Sequence, residues 1–111
     1  MKKINIQPLS VNIAFQGRRF KTKEYKQYEK DLLLILPKQK IPDSPFKITI
    51  EFGFSSKLAN IDNPLKPFLD ILQKKYNIND REVYELNVKK SITTKGSEYI
   101  KYSIESTHVT N

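Results

Sequence analysis

Cysteine is absent from the 111 residues, histidine occurs once and glycine only three times. Without thiols the chain forms neither disulfides nor thiolate zinc sites. The one histidine, His108, sits in a polar C-terminal stretch, where a lone imidazole reads as a spectator rather than a base or ligand. Ser55-Ser56 has no histidine partner for nucleophilic catalysis. No glycine-rich phosphate loop is present, so nucleotide hydrolysis is unsupported. Long apolar runs are missing as well. The longest, Leu32 to Leu36, is far too short to span a bilayer, and Met1-Lys2-Lys3 is not followed by the apolar core of a secretion signal. The expectation is a cytoplasmic protein without membrane contact.

What remains is an ordinary folding composition, 38% hydrophobic and 11% aromatic, on a chain long enough for one modest core. The whole of residues 1–111 therefore reads as a single domain. Its charge is lopsided. Twenty basic residues against 12 acidic give a net +8. Residues 1–40 hold 10 Lys/Arg against 3 Asp/Glu, while residues 41–82 hold 6 of each. A basic face concentrated in the first third suits phosphate binding by counterion release. A lysine-rich solvated surface would produce the same total.

Short extended pieces, Ile4 to Ile6 and Val11 to Phe15, precede a basic turn from Gln16 to Lys21. Thr22 is placed to cap a helix from about Lys23 to Leu36, ended by Pro37. From Phe46 to Phe54 apolar residues alternate with Lys47, Thr49, Glu51 and Gly53, which is the period of a half-buried strand. A second helix should run to about Lys75 with Ile61, Leu65, Phe68 and Leu72 on one face, its start made irregular by Pro64 and Pro67. Tyr84, Leu86 and Val88 mark a further strand, and a Lys95-Gly96 turn predicts a hairpin to the last strand, with Ile100, Tyr102 and Ile104 inward. The predicted order is β-α-β-α-β-β, an α+β domain with a mixed sheet and two main helices.

Chemistry concentrates in Asn60-Ile61-Asp62-Asn63-Pro64-Leu65-Lys66 and in Asn79-Asp80. Acids in a basic protein repel phosphate unless a divalent cation lies between them. Asp62 and Lys66, four apart, are neighbours on a helix, and Asp80 precedes a strand that could return toward them. Carboxylates are the preferred ligands of Mg²⁺, which activates water and polarises phosphate, and a lysine beside it can neutralise developing charge. The same residues also make a helix cap, a surface ion pair and a turn. Spacing alone does not choose between the two.

The pattern as a whole resembles the RusA family of Holliday junction resolvases. The likeness starts at Val11-Asn12, passes through Arg18-Arg19-Phe20-Lys21 and Tyr25, and continues over the Asn60–Lys66 segment to Asp80. The family carries two aspartates separated by one residue, then Asn and Lys, a further Asp in the helix and a last Asp before a strand. Asp62, Asn63, Lys66, Asp70 and Asp80 stand at those places, and Asn60 replaces the first aspartate. The resemblance implies a Mg²⁺-dependent endodeoxyribonuclease, Mn²⁺ being the substitute ion, that resolves four-way or other branched DNA by paired nicks. It also implies a symmetric homodimer, with the Phe46–Phe54 strand a candidate for part of the interface, and a phage or prophage origin.

In this reading Asp62, Asp80 and the Asn60 position hold the metal, Lys66 assists at the phosphate, and Asn63 and Asp70 support them. Arg18, Arg19, Lys21 and Lys23 contact DNA phosphates. No small-molecule cofactor is expected. Asn60 lacks the charge of aspartate and presents one oxygen where aspartate presents two, so metal binding and cleavage should be impaired while DNA binding survives. The alternatives are a junction-binding protein without catalysis and an accessory protein that keeps the fold for protein contacts.

Overall fold

The computed structural model describes residues 1–10, 12, 15–16 and 20–107. Arg18, Arg19 and His108 lie outside them. The central strand, β4 (Phe46–Phe54), forms as the period-2 pattern predicts, its burial alternating as far as Phe52. Its buried set, Phe46, Ile48, Ile50 and Phe52, faces two helices, α1 (Lys23–Ile35) and α2 (Leu65–Tyr76). The sheet is completed by β1 (Lys2–Ile4), β5 (Val83–Ile92) and β6 (Tyr99–Ser106), in the order β1-β6-β4-β5. A small separate ribbon pairs β2 (Phe15–Gln16) with β3 (Phe20–Lys21). The main elements follow the predicted α+β order, with a mixed four-stranded sheet and both helices on one face.

One expectation fails. β5 and β6 do not pair as a hairpin: β5 runs parallel to β4 on one side, and β6 runs antiparallel to β4 on the other. The Lys95-Gly96 turn is real, with Gly96 at φ +91°, but the chain after it passes to the far side of β4. Burial explains the choice. Ile100, Tyr102 and Ile104 are buried between β1 and β4, whereas β5 is largely exposed and serves as an edge. The Phe46–Phe54 strand, paired on both sides, therefore offers no free edge to a second subunit.

The core is one layer of side chains between sheet and helices. Phe68 of α2 is fully buried and stacks edge-on against Phe52 and Tyr102, at 6.1 and 5.8 Å between ring centroids. Burying such a ring contributes about 2 kcal/mol. Tyr102, buried beneath α2, keeps its hydroxyl satisfied through Tyr76 at 2.7 Å, and Tyr76 donates to the Pro37 carbonyl at 2.8 Å. That chain of phenols ties β6, the end of α2 and the segment after α1 together. Thr22 caps α1 as predicted, accepting from the Tyr25 amide at 3.2 Å. α2 ends at Asn77, whose φ of 54° is the left-handed conformation asparagine tolerates at a helix end.

Candidate active site

The segment between β4 and α2 carries most of the predicted site, and its path is set by prolines and by one lysine. Pro64 and Pro67 occupy the helix entry, where the missing amides would have had no intrahelical partner. Tight turns precede the helix: the Asn63 amide donates to Asn60 and the Leu65 amide to Asp62, at 3.3 and 3.1 Å. The irregular helix start expected from the prolines is therefore present. It is why Ile61 is not on the helical face but 39% exposed on the turn. Lys90, on β5, reaches across and donates to the backbone carbonyls of Lys57, at 2.8 Å, and Ala59.

Between α2 and the β4–β5 edge of the sheet lies a groove of about 420 Å³. Its floor is apolar, including Ile48, Leu72, Ile78 and Leu86. Asp62, Lys66, Asp70 and Asp80 all line it. The groove forms because β5, an edge strand, extends past the cover that a single helix provides. Asp62 stands before the first turn of α2, Asp70 in its middle and Asp80 after its last, at the start of a 3₁₀ turn (Asp80–Glu82). Asn79 caps that turn by accepting from the Arg81 amide at 3.0 Å. A twelve-residue helix is about 18 Å long, so the acids are strung along the groove. Among the described residues no three acidic side chains gather closely enough to hold a metal ion.

The donor chemistry still suits magnesium. The groove offers only carboxylates as charged ligands, and Mg²⁺ commonly takes one or two of these, filling its shell with water and phosphate oxygens. Lys66 and Asp70, one helical turn apart, form an ion pair at 3.2 Å on the groove wall. Tyr25, on α1, is buried, and both burial and the negative charges of Asp70 and Glu29 push its phenol well above the usual range. Tyr25 is thus a neutral hydroxyl beside the acids.

Asn60 and Asn63 face elsewhere. They line a second groove with Gln7, Ser10, Phe54 and Ser56, on the other side of the same turn. Asn60 is thus not gathered with Asp62 and Asp80 in the acidic groove. Of the predicted phosphate contacts, Lys23 is exposed in the first turn of α1, while Lys21 is paired with Glu29. Partial burial opposes ionisation of Glu29, but hydrogen bonds from Lys21 and Lys74, each 3.2 Å, outweigh it and hold the carboxyl below its usual range.

Three residues are not singled out by sequence pattern. Lys74 belongs to a helical repeat, Tyr25 enters only as a family position, and Lys90 belongs to a strand 33 and 31 residues from the two loop carbonyls it grips. Helical spacing puts Lys74 on the α2 face shared with Asp70; nothing local signals Lys90. No curated protein matches the chain. Residues 10–102, however, match the model of the family described as endodeoxyribonuclease RusA, a span holding the basic ribbon, the 60–66 turn, α2 and Asp80. A basic α+β domain with an acid-lined groove, matched over that length, belongs to the RusA family of endodeoxyribonucleases.

Proposed function

We propose that this chain is a Mg²⁺-dependent endonuclease that resolves Holliday junctions and related branched DNA by paired nicks, acting as a homodimer. The observation that carries the reading is that Asp62, Asp70, Asp80 and Lys66 all line one groove of a chain with net charge +8. Asp62 and Asp80 are the residues assigned to metal in this reading, each at its own end of the groove and each holding an ion through one carboxylate, water and phosphate oxygens. When bound, magnesium, or manganese in its place, supplies Lewis-acid polarisation of the phosphodiester and a more acidic water. The rest is done by the chain. Lys66 gives up part of its pairing with Asp70 to a phosphate oxygen and neutralises charge there. The apolar floor keeps bulk water from the groove, and Lys23 holds the flanking backbone, joined by Lys21 and Lys74 to the extent that they leave Glu29. Arg18 and Arg19 are assigned the same role from the sequence. The setting is the cytoplasm of a bacterium carrying the source phage or prophage; among the described residues no helix is long and apolar enough to cross a membrane.

A second reading rests on Asn60. With the family's first aspartate replaced by a neutral amide, the chain could bind junctions without cutting them. The test is binding and cleavage of a labelled four-way junction, with and without Mg²⁺, by this chain and by Asn60→Asp. Cleavage by both supports the nuclease with Asn60 tolerated, and cleavage only by the aspartate form supports binding alone in the natural chain. Absence of junction binding by either variant overturns both readings. Within the nuclease reading, Asp62→Asn abolishes turnover, and unchanged turnover would remove Asp62 from the site.

A further inference from the structure

The register between β4 and β5 slips once. Phe46 faces Val83 and Lys47 faces Glu85, so Tyr84 is an extra residue, a bulge on the edge strand. Bulges interrupt the alternation of a strand and re-aim a side chain. The outer side of β5 has no neighbouring strand among the described residues, which leaves the ring room to turn outward. Tyr84 is 63% exposed, the one exposed aromatic among the residues whose side chains are described. The other five tyrosines are engaged: Tyr25 and Tyr28 lie in the core, Tyr76 and Tyr102 share a hydrogen bond, and Tyr99 donates to Glu51. Val83 and Leu86, on either side of the bulge, line the acidic groove, and Asp80, four residues before Tyr84, lines it too. The bulge thus sets an exposed ring at the rim of that groove.

We propose that Tyr84 is a stacking platform for a nucleobase at a branch point, and that it favours branched over linear DNA on this chain. A phenol ring can stack on the π-face of any base. Inside a continuous duplex each base is covered above and below, and only its edges are open. A face is free only where the stack is broken, as at a junction. Charge points the same way. Acids at 80, 82 and 85 disfavour a bare phosphate beside the ring, whereas an uncharged base meets no such repulsion. Four residues of chain span at most about 14 Å and successive bases of one strand lie about 3.4 Å apart, so the stacked base falls within about four nucleotides of a phosphate held at Asp80. The assignment rests on the junction-binding part of the proposed function and not on cleavage.

Binding of a labelled four-way junction and of a linear duplex of the same sequence, without Mg²⁺, tests it. Tyr84→Ala should lose about tenfold in junction affinity, within the range that base–aromatic stacking supplies, and keep its duplex affinity. Tyr84→Phe should match the natural chain, since the ring and not the hydroxyl stacks. The chain has no tryptophan, so Tyr84→Trp adds a single reporter whose emission the junction should quench and the duplex should not. Circular dichroism checks the fold of each variant. Equal losses on both DNAs, no loss, a loss in Tyr84→Phe as large as in Tyr84→Ala, or unquenched emission would each overturn the platform. So would altered sedimentation of Tyr84→Ala, which would place the ring between subunits. Cleavage of the junction in Mg²⁺ separates the two ideas. Cleavage by the natural chain with any of those failures leaves the nuclease standing without the platform. A junction-specific loss with quenching but no cleavage sinks the nuclease reading and leaves the platform, and absence of junction binding by the natural chain overturns both.

Discussion

Lys90 donates from β5 to the Ala59 carbonyl, one residue before Asn60, and so pins the turn that carries Asp62 to the edge of the sheet. A second bond to the Lys57 carbonyl makes the ammonium a two-point clamp. Lys90→Met should keep the stem's packing and lose both bonds, at a net cost of about 1 kcal/mol each. The expected outcome is a modest fall in the urea midpoint with a larger, roughly tenfold or greater, loss of junction cleavage, as loosened site residues commonly give. Unchanged cleavage would show that the turn keeps its place without the clamp.

Lys66 and Asp70 are a solvent-exposed pair on α2, and such i,i+4 pairs contribute only about 0.3–0.5 kcal/mol. Asp70→Asn should therefore leave the unfolding midpoint nearly unchanged. Lys66→Ala should do the same for stability but lower cleavage well beyond Asp70→Asn, because it removes the cation from the groove. Equal activity losses in the two variants would indicate that the pair acts as one unit.

Glu29 occupies two lysines that could otherwise meet phosphate. Glu29→Gln frees Lys21 and Lys74 and raises the net charge by one. Junction affinity at low salt should increase, and the log–log salt dependence should steepen, by about 0.9 for each further phosphate neutralised. Titrations at several salt concentrations check this, and a slope equal to that of the natural chain would place both lysines away from DNA.

Tyr99 lies over Gly53 and donates to Glu51, and a Cβ at position 53 would collide with its ring. Gly53→Ala must push the ring aside and break that bond, so a loss of about 1–3 kcal/mol is expected, as for other overpacked sites. In a Tyr99→Ala background the same substitution should cost much less. Additive losses in the double mutant would mean that the strain lies in the strand itself and not against the ring.

Glu51 also sets an acid limit to stability. The hydrogen bond from Tyr99 lowers its pKa; partial burial raises it and is outweighed, with Lys101 and Lys89 adding to the lowering, so the carboxyl sits below its usual 4.5. A depressed folded-state pKa means that the unfolded chain binds the proton more readily. The stabilisation is therefore complete above about 4.5 and is lost as pH falls through the folded value. Thermal unfolding should show this decline in the natural chain and a shallower one in Glu51→Gln; identical acid limbs would exclude Glu51 as its source.

The chain by itself determined what depends on near neighbours. Alternation over Phe46 to Phe54 is enough to specify a half-buried strand, since period 2 puts one set of side chains on one face. Thr22 specifies a helix start because its hydroxyl reaches an amide three residues on. Pro64 and Pro67 specify an irregular helix entry because they lack that amide. The acids and Lys66 were visible as a pattern for the same reason. Tertiary structure alone decided the rest. Whether the last two strands pair with each other or flank β4 depends on which face of which strand gains most by burial, a competition between residues far apart in the chain. The grip of Lys90 on Ala59, the pairing of Lys74 with Glu29, and the placing of Asn60 and Asp62 in different grooves come from the same packing. Contacts across 30 or more residues leave no local period to read, and the edge of a sheet exists only once the other strands have chosen their partners.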